Sequence, residues 1–223
     1  MIAVVLGTCL VSSQAIAERT IVLALSENVL PVEESADIVT SAYAALGIRV
    51  ELVRAPRSRT LVLSSTGQVD GEVVAGSAIE ARYPSLKRVD VPLTTVEVMV
   101  FTCSEGLSSS PGAGLASKRV GHLAGAVVLE NLTERFQDVW EGETFEELFD
   151  MLKLGRLDAV LGARQVLEAY KAENEIGCIR VSDEPLHRVR LFHYLHEKNA
   201  DLIPSVRSAL MELTAENGAT PGQ

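Results

Sequence analysis

The chain has 223 residues, room for one large domain or two small ones. With 47% hydrophobic and 22% charged residues it can bury a core, and neither figure fits a disordered chain. A formal net charge of −10 repels polyanions and 4% aromatics offer little for base stacking, so nucleic acid is excluded as an expected partner.

Residues 2–11 (IAVVLGTCLV) form an uncharged apolar run, followed by Ala15-Ile16-Ala17, which fits the small-x-small pattern of a cleavage site. Residues 1–17 therefore read as a signal peptide that leaves Glu18 as the new N-terminus and sends the protein to the periplasm. The run is too short to span a bilayer. No Lys or Arg precedes it, so a start upstream of Met1 and a buried first strand are the competing readings. Leu6-Gly7-Thr8-Cys9 loosely matches a lipidation site, but Thr8 is large for the position before the Cys. Cleavage removes Cys9 and leaves Cys103 and Cys178, either a disulfide or two separate buried thiols. Nothing matches a zinc pattern, and neither metal nor cofactor is expected.

Residues 21–25 (IVLAL) read as a buried strand, and 33–46 as a helix with Ile38, Ala42, Ala45 and Leu46 on one face, ended by Gly47. A strand over 48–53, a break at Pro56, a helix over 58–65 stopped by Gly67 and a strand over 69–74 complete a first α/β unit. Residues 89–102 are long and β-rich, whereas the Ser- and Gly-rich stretch 104–117 reads as a loop. A second unit follows, with strands over 119–123, 158–161 and 176–181 and helices over 127–136, 144–154 and 163–172. The helix at 144 opens with Thr144 and Glu147, the spacing of a capping box. A β-rich segment over 189–195 and an amphipathic helix over 201–213 close the chain. The two units read as two lobes, residues 18–100 with 190–223 and residues 101–189, joined by strands near 98–102 and 188–194. Crevices of open α/β sheets form at the carboxyl ends of the strands, and two facing lobes close by hinge motion.

The residues Ala42-Tyr43, Leu46-Gly47-Ile48, Pro56, Arg59, Gly67, Val69-Asp70-Gly71-Glu72, Tyr83-Pro84 and Val91-Pro92-Leu93 resemble the bacterial family 3 extracellular solute-binding proteins. Val120-Gly121, Phe149, Met151-Leu152, Gly155-Arg156-Leu157-Asp158-Ala159, His193-Tyr194-Leu195-His196, Asp201-Leu202 and Pro204 extend the resemblance to roughly residues 20–213. It implies the two-lobed type II periplasmic-binding-protein fold, each lobe a mainly parallel sheet flanked by helices, joined by two hinge strands. It also implies a monomer that captures a small solute for an ABC permease or a membrane sensor.

Amino-acid-binding members hold the ligand carboxylate with an Arg after the third strand; Arg82 stands at about that place, with Ser77 as a supporting hydroxyl. The competing reading of Arg82 is a solvated loop residue. Gly125 and Ala126 open the first strand-to-helix turn of the second lobe, where members often place hydroxyls, and their N–H groups remain for an anion. Ala163, beside Arg164, stands where members place an Asp for the ammonium, and Ala75 replaces an Arg, so an ordinary α-amino-acid site is not expected. Arg57 and Arg59 follow the second strand, and Glu27 and Asn28 the first. These residues point to an anionic or carboxylate-bearing ligand. His193 and His196 invite a metal reading that a strand, which sends the two apart, disfavours. The alternative to a binding module is an enzyme resembling periplasmic cyclohexadienyl dehydratases; Glu72 and Glu97 are its nominated acids, and no catalytic triad or phosphate loop appears. A third reading is a degenerate member without ligand.

Overall fold

The computed structural model describes residues 19–27, 32–109 and 114–216. The expected signal segment, Cys9 and Asn28 lie outside the described residues. Strand β1 (Arg19–Ser26) leads to helix α1 (Val32–Ala45), then β2 (Ile48–Ala55), α2 (Arg57–Ser65) and β3 (Gly71–Gly76). A one-turn helix α3 (Ile79–Arg82) precedes the long strand β4 (Leu86–Thr102). The expected loop over 104–117 contains a short helix α4 (Glu105–Ser109) and a 3-10 turn at Leu115–Ser117. The chain continues through β5 (Arg119–Leu123), α5 (Val127–Thr133), β6 (Asp138–Gly142), α6 (Phe145–Lys153), β7 (Ala159–Ala163), α7 (Arg164–Glu173), β8 (Arg180–Val181) and β9 (His187–His196). A 3-10 segment (Glu197–Leu202) then leads into α8 (Ile203–Glu216).

The strands form one sheet in the order β2-β1-β3-β9-β4-β7-β5-β6, with β8 paired to β4. Within it, β1 pairs in parallel with β2 and β3, and β5 in parallel with β6 and β7. These two parallel triples are joined by the antiparallel pair β4–β9. The 17-residue β4 reaches both, pairing with β9 over its first part and with β7 over Val98–Phe101. Such a strand is long enough to cross from one α/β unit to the other while keeping its backbone groups bonded.

Each triple is pinned by an aspartate at the same place. Asp70, ahead of β3, accepts the Val22 N–H at 2.8 Å and bonds Asn199 and Lys198 at 3.0 Å. Asp158, ahead of β7, accepts the Arg119 N–H at 2.9 Å and the Arg119 guanidinium at 2.7 Å. Both tie the start of a third strand to the central strand of its triple.

The cores follow the period of each element. One cluster runs from Ile21, Leu23 and Leu25 through Val39 and Tyr43 to Val98, Val100, Val120 and Leu161, spanning both triples. A second, built on Phe101, Phe145, Phe149 and Tyr170, packs α6 and α7 on β7, with Phe101 edge-on to Phe149 at 5.4 Å. Helix α6 begins where the capping box places it: Thr144 accepts the Glu147 N–H at 3.2 Å, and Glu147 reaches back to the Glu143 N–H at 3.1 Å. A Thr144→Ala protein is expected to lose about 1 kcal/mol in urea unfolding, the ordinary cost of a missing cap.

The disulfide Cys103–Cys178 links the end of β4 to the turn before β8, with Cα atoms 5.0 Å apart. His193 is no surface ligand. It is fully buried, its Nδ1 donates to the Glu72 carbonyl at 2.9 Å, and its Nε2 accepts from the Tyr43 hydroxyl at 3.0 Å. Burial holds its pKa down at about 4, so the ring is neutral and knits β9 to β3 and α1.

Candidate functional site

The carboxyl ends of β1, β2, β5 and β6 converge on a crevice of about 110 Å³ lined by Glu27, Pro56, Arg57, Leu123, Ala124, Glu143, Thr144 and Phe145. The first three belong to one parallel triple and the rest to the other, so the crevice lies at the position that α/β sheets use for ligands. It is small because the two triples press together. Gly125 has φ +75°, and a Cβ there would fall 2.7 Å from the Ser58 N and 2.8 Å from its Cα. Val127, next along, is buried in a cluster with Leu61, Ala75, Ile79, Phe192 and Tyr194 of the opposite side. Ala126 is buried as the N-cap residue of α5.

Arg82 and Arg57 stand in different electrostatic situations. Arg82, at the end of α3, forms an ion pair with Glu130 of α5, across the two triples. The Glu130 side chain is only 19% exposed, and its carboxylate occupies the guanidinium that the sequence assigned to a ligand. That ion pair raises the Arg82 pKa further. Arg57 is half-buried at the start of α2, and no hydrogen bond or ion pair to its guanidinium appears among the described residues. Desolvation lowers its pKa against the pull of Glu72 and Glu130, yet an arginine stays charged.

Glu72 does not neutralise Arg57. It is 1% exposed on β3; Oε1 accepts from the Thr60 hydroxyl at 3.1 Å, and Oε2 lies 3.3 Å from the Ser64 hydroxyl. Burial pushes its carboxyl up to about 8, against the opposing effects of Arg57, Thr60 and Ser64. That shift favours the neutral acid at neutral pH, so Arg57 has Glu72 and Glu130 nearby but no hydrogen-bonded or ion-paired carboxylate of its own among the described residues. Ser26, one residue before Glu27 and 3% exposed, has a buried hydroxyl without a hydrogen-bond partner among the described residues.

The remaining sequence candidates spread apart. Glu27 is exposed at the crevice rim. Arg59 is exposed on α2 in a separate open depression with Ser58, Val62, Leu63 and Gln68. Ser77 lines another groove, beside β9. Glu97 is held by Arg164 at 2.8 Å and Arg188 at 3.1 Å, which lowers its pKa and leaves it a structural anchor between β4, β9 and α7. Ala163 is buried, and Arg164 turns to Glu97. No local sequence pattern marks Glu130, Ser26 or the Glu143–Phe145 wall as site residues, because their placement rests on contacts across the fold; the capping box at 144 is the one local signal near them.

No protein-family profile matches this sequence, and no curated protein sequence matches it. Solved structures do. The amino acid ABC transporter substrate-binding protein AbpA from Streptococcus pneumoniae, bound to L-arginine, superposes with a TM-score of 0.71 at 15% identity, over 89% of this chain and 90% of that one. Holo ArgBP from T. maritima gives 0.73 at 18% identity, over 87% and 90%. A histidine kinase sensor domain with similarity to periplasmic binding proteins gives 0.75 at 19% identity, over 91% and 92%. At these identities the likeness establishes the fold, the type II periplasmic-binding-protein fold, over nearly the whole described chain.

Proposed function

We propose that this protein is an exported, monomeric solute-binding protein that captures a small carboxylate-bearing solute between its two lobes, for a transport permease or a membrane sensor. The observation that carries the reading is Arg57: a half-buried cation without a partner among the described residues, in a crevice at the carboxyl ends of four strands. A guanidinium fork matches a carboxylate, and partial desolvation strengthens the pairing. The likeness to an amino acid ABC transporter substrate-binding protein, to ArgBP and to a histidine kinase sensor domain supports the same role and a periplasmic setting. The lobes are residues 18–100 with 190–223 and residues 101–189, hinged on β4 and β9.

The crevice is well below the roughly 300–1,000 Å³ of a small-molecule site, so entry requires the lobes to part. Glu130 then leaves Arg82, which becomes a second carboxylate partner in the liganded form. A dehydratase-like reading would look to Glu72 as its acid, because a raised carboxyl pKa marks many general acids. Both Glu72 oxygens face hydroxyls of α2 and the group is enclosed, which favours binding over catalysis.

A thermal-shift screen of amino acids, organic acids, polyamines and aromatic acids is the direct test. Ligand at about 100 times its Kd adds roughly 2.7 kcal/mol, a rise of about 5–10 °C for a chain of this size. Arg57→Gln is expected to abolish the shift given by the hit without changing the unliganded midpoint by more than a degree or two. A flat panel, or a hit that Arg57→Gln binds equally well, would overturn the reading; conversion of the hit on incubation would replace it with the enzyme.

A further inference from the structure

A groove of about 400 Å³ runs along the exposed face of the β4–β9 ribbon, sharing no lining residue with the crevice. We propose that it is a second binding site, for a small organic monocarboxylate with an apolar body, whose anion is held by Arg190 and the Ser77 hydroxyl. Three arginines line it, Arg88, Arg188 and Arg190, and among the described residues no acidic one does, in a chain of net charge −10.

The three are not equivalent. Arg88 is taken by Glu80 at 2.9 Å and Asp90 at 3.2 Å, and lies 4.8 Å over the Phe192 ring. Arg188 is taken by Glu97. Arg190 is exposed and has no partner among the described residues. In the β4–β9 register Arg188 faces Glu97 and Arg190 faces Thr95, so the two arginines project from one side of the ribbon, two residues apart. Glu97, shared with Arg164, pairs Arg188, and Arg190 stays without a partner among the described residues beside a like charge, a situation an anion relieves. The one guanidinium fork without a partner fits one carboxylate. The apolar lining, Phe192 with its stacked guanidinium and Val128, fits an organic body rather than a bare inorganic ion.

Benzoate titrated into the full chain, followed by amide NMR at low and high salt, tests the site. Saturable shifts clustered at Ser77, Arg190 and Phe192 are expected, weaker at high salt, with inorganic phosphate giving little. Arg190→Gln should weaken benzoate at least tenfold, and Ser77→Asp, which places a carboxylate in the groove, should do the same; Arg57→Gln should leave these shifts unchanged. Absence of saturable binding up to tens of millimolar, equal binding by Arg190→Gln, or loss in Arg57→Gln instead would overturn the proposal. Only the last of these would locate benzoate in the crevice, so the two sites stand or fall separately.

Discussion

A Glu72→Gln protein is expected to be more stable than the parent at pH 8 by roughly 4 kcal/mol and equal to it at pH 4. The folded protein holds the Glu72 proton up to about pH 8, whereas the unfolded chain releases it at an ordinary 4.5. The native state therefore binds more protons across that interval, and the contribution of Glu72, full below 4.5, is lost as pH rises toward 8, at about 1.4 kcal/mol per pH unit. Glutamine reproduces the neutral acid for Thr60 and Ser64 and has no proton to lose. His193 acts in the opposite direction. Its folded pKa of about 4 lies below the ordinary 6.5, so the unfolded chain binds the extra proton, and stability present above 6.5 is lost as pH falls toward 4. Between about 4.5 and 6.5 the two slopes cancel. The parent should show a flat-topped stability profile that declines on both sides, and the variant should keep only the acid decline. Urea midpoints at half-unit pH steps measure this; superimposable curves above pH 6 would mean that Glu72 is ionised in the folded protein.

Loss of the disulfide should cost about as much. Cys103 and Cys178 are separated by 75 residues and enclose β5, β6 and β7 with their helices. Closing a loop of that size removes unfolded-state entropy worth about 4 kcal/mol. The double Cys103→Ser, Cys178→Ser protein is expected to unfold at lower urea, with a steeper dependence because its unfolded chain is more expanded. Cys178 is exposed, so reductant should produce the same change in the parent without prior unfolding. An unchanged midpoint under reductant, with free thiols shown by alkylation, would mean that the closed loop contributes nothing.

Much of the architecture was legible in the residue pattern. The apolar run 21–25, the alternation at 48–53 and the 3.6-residue period of 33–46 depend on neighbours within one or two turns, and β1, β2 and α1 appear there. The capping box at Thr144 and Glu147 is equally local and set the start of α6. Strand β6 was not foreseen, because Asp138, Trp140 and Glu141 lie on an exposed sheet edge and carry no buried alternation. The expected strand over 176–181 shrank to Arg180–Val181, whose pairing to β4 is decided by the neighbouring strand rather than by its own composition.

By itself the sequence determined the α/β order, the two repeated units and the long strands that join them, since backbone propensity and burial period are written in short windows. It also supplied the arginines of the candidate site. Which arginine is free was decided only by the tertiary structure. Glu130, 48 residues from Arg82, satisfies it, while burial protonates Glu72 and leaves Arg57 charged and unpaired among the described residues. Charge pairing and desolvation depend on what packs within a few ångströms, and that neighbourhood exists only once the chain has folded.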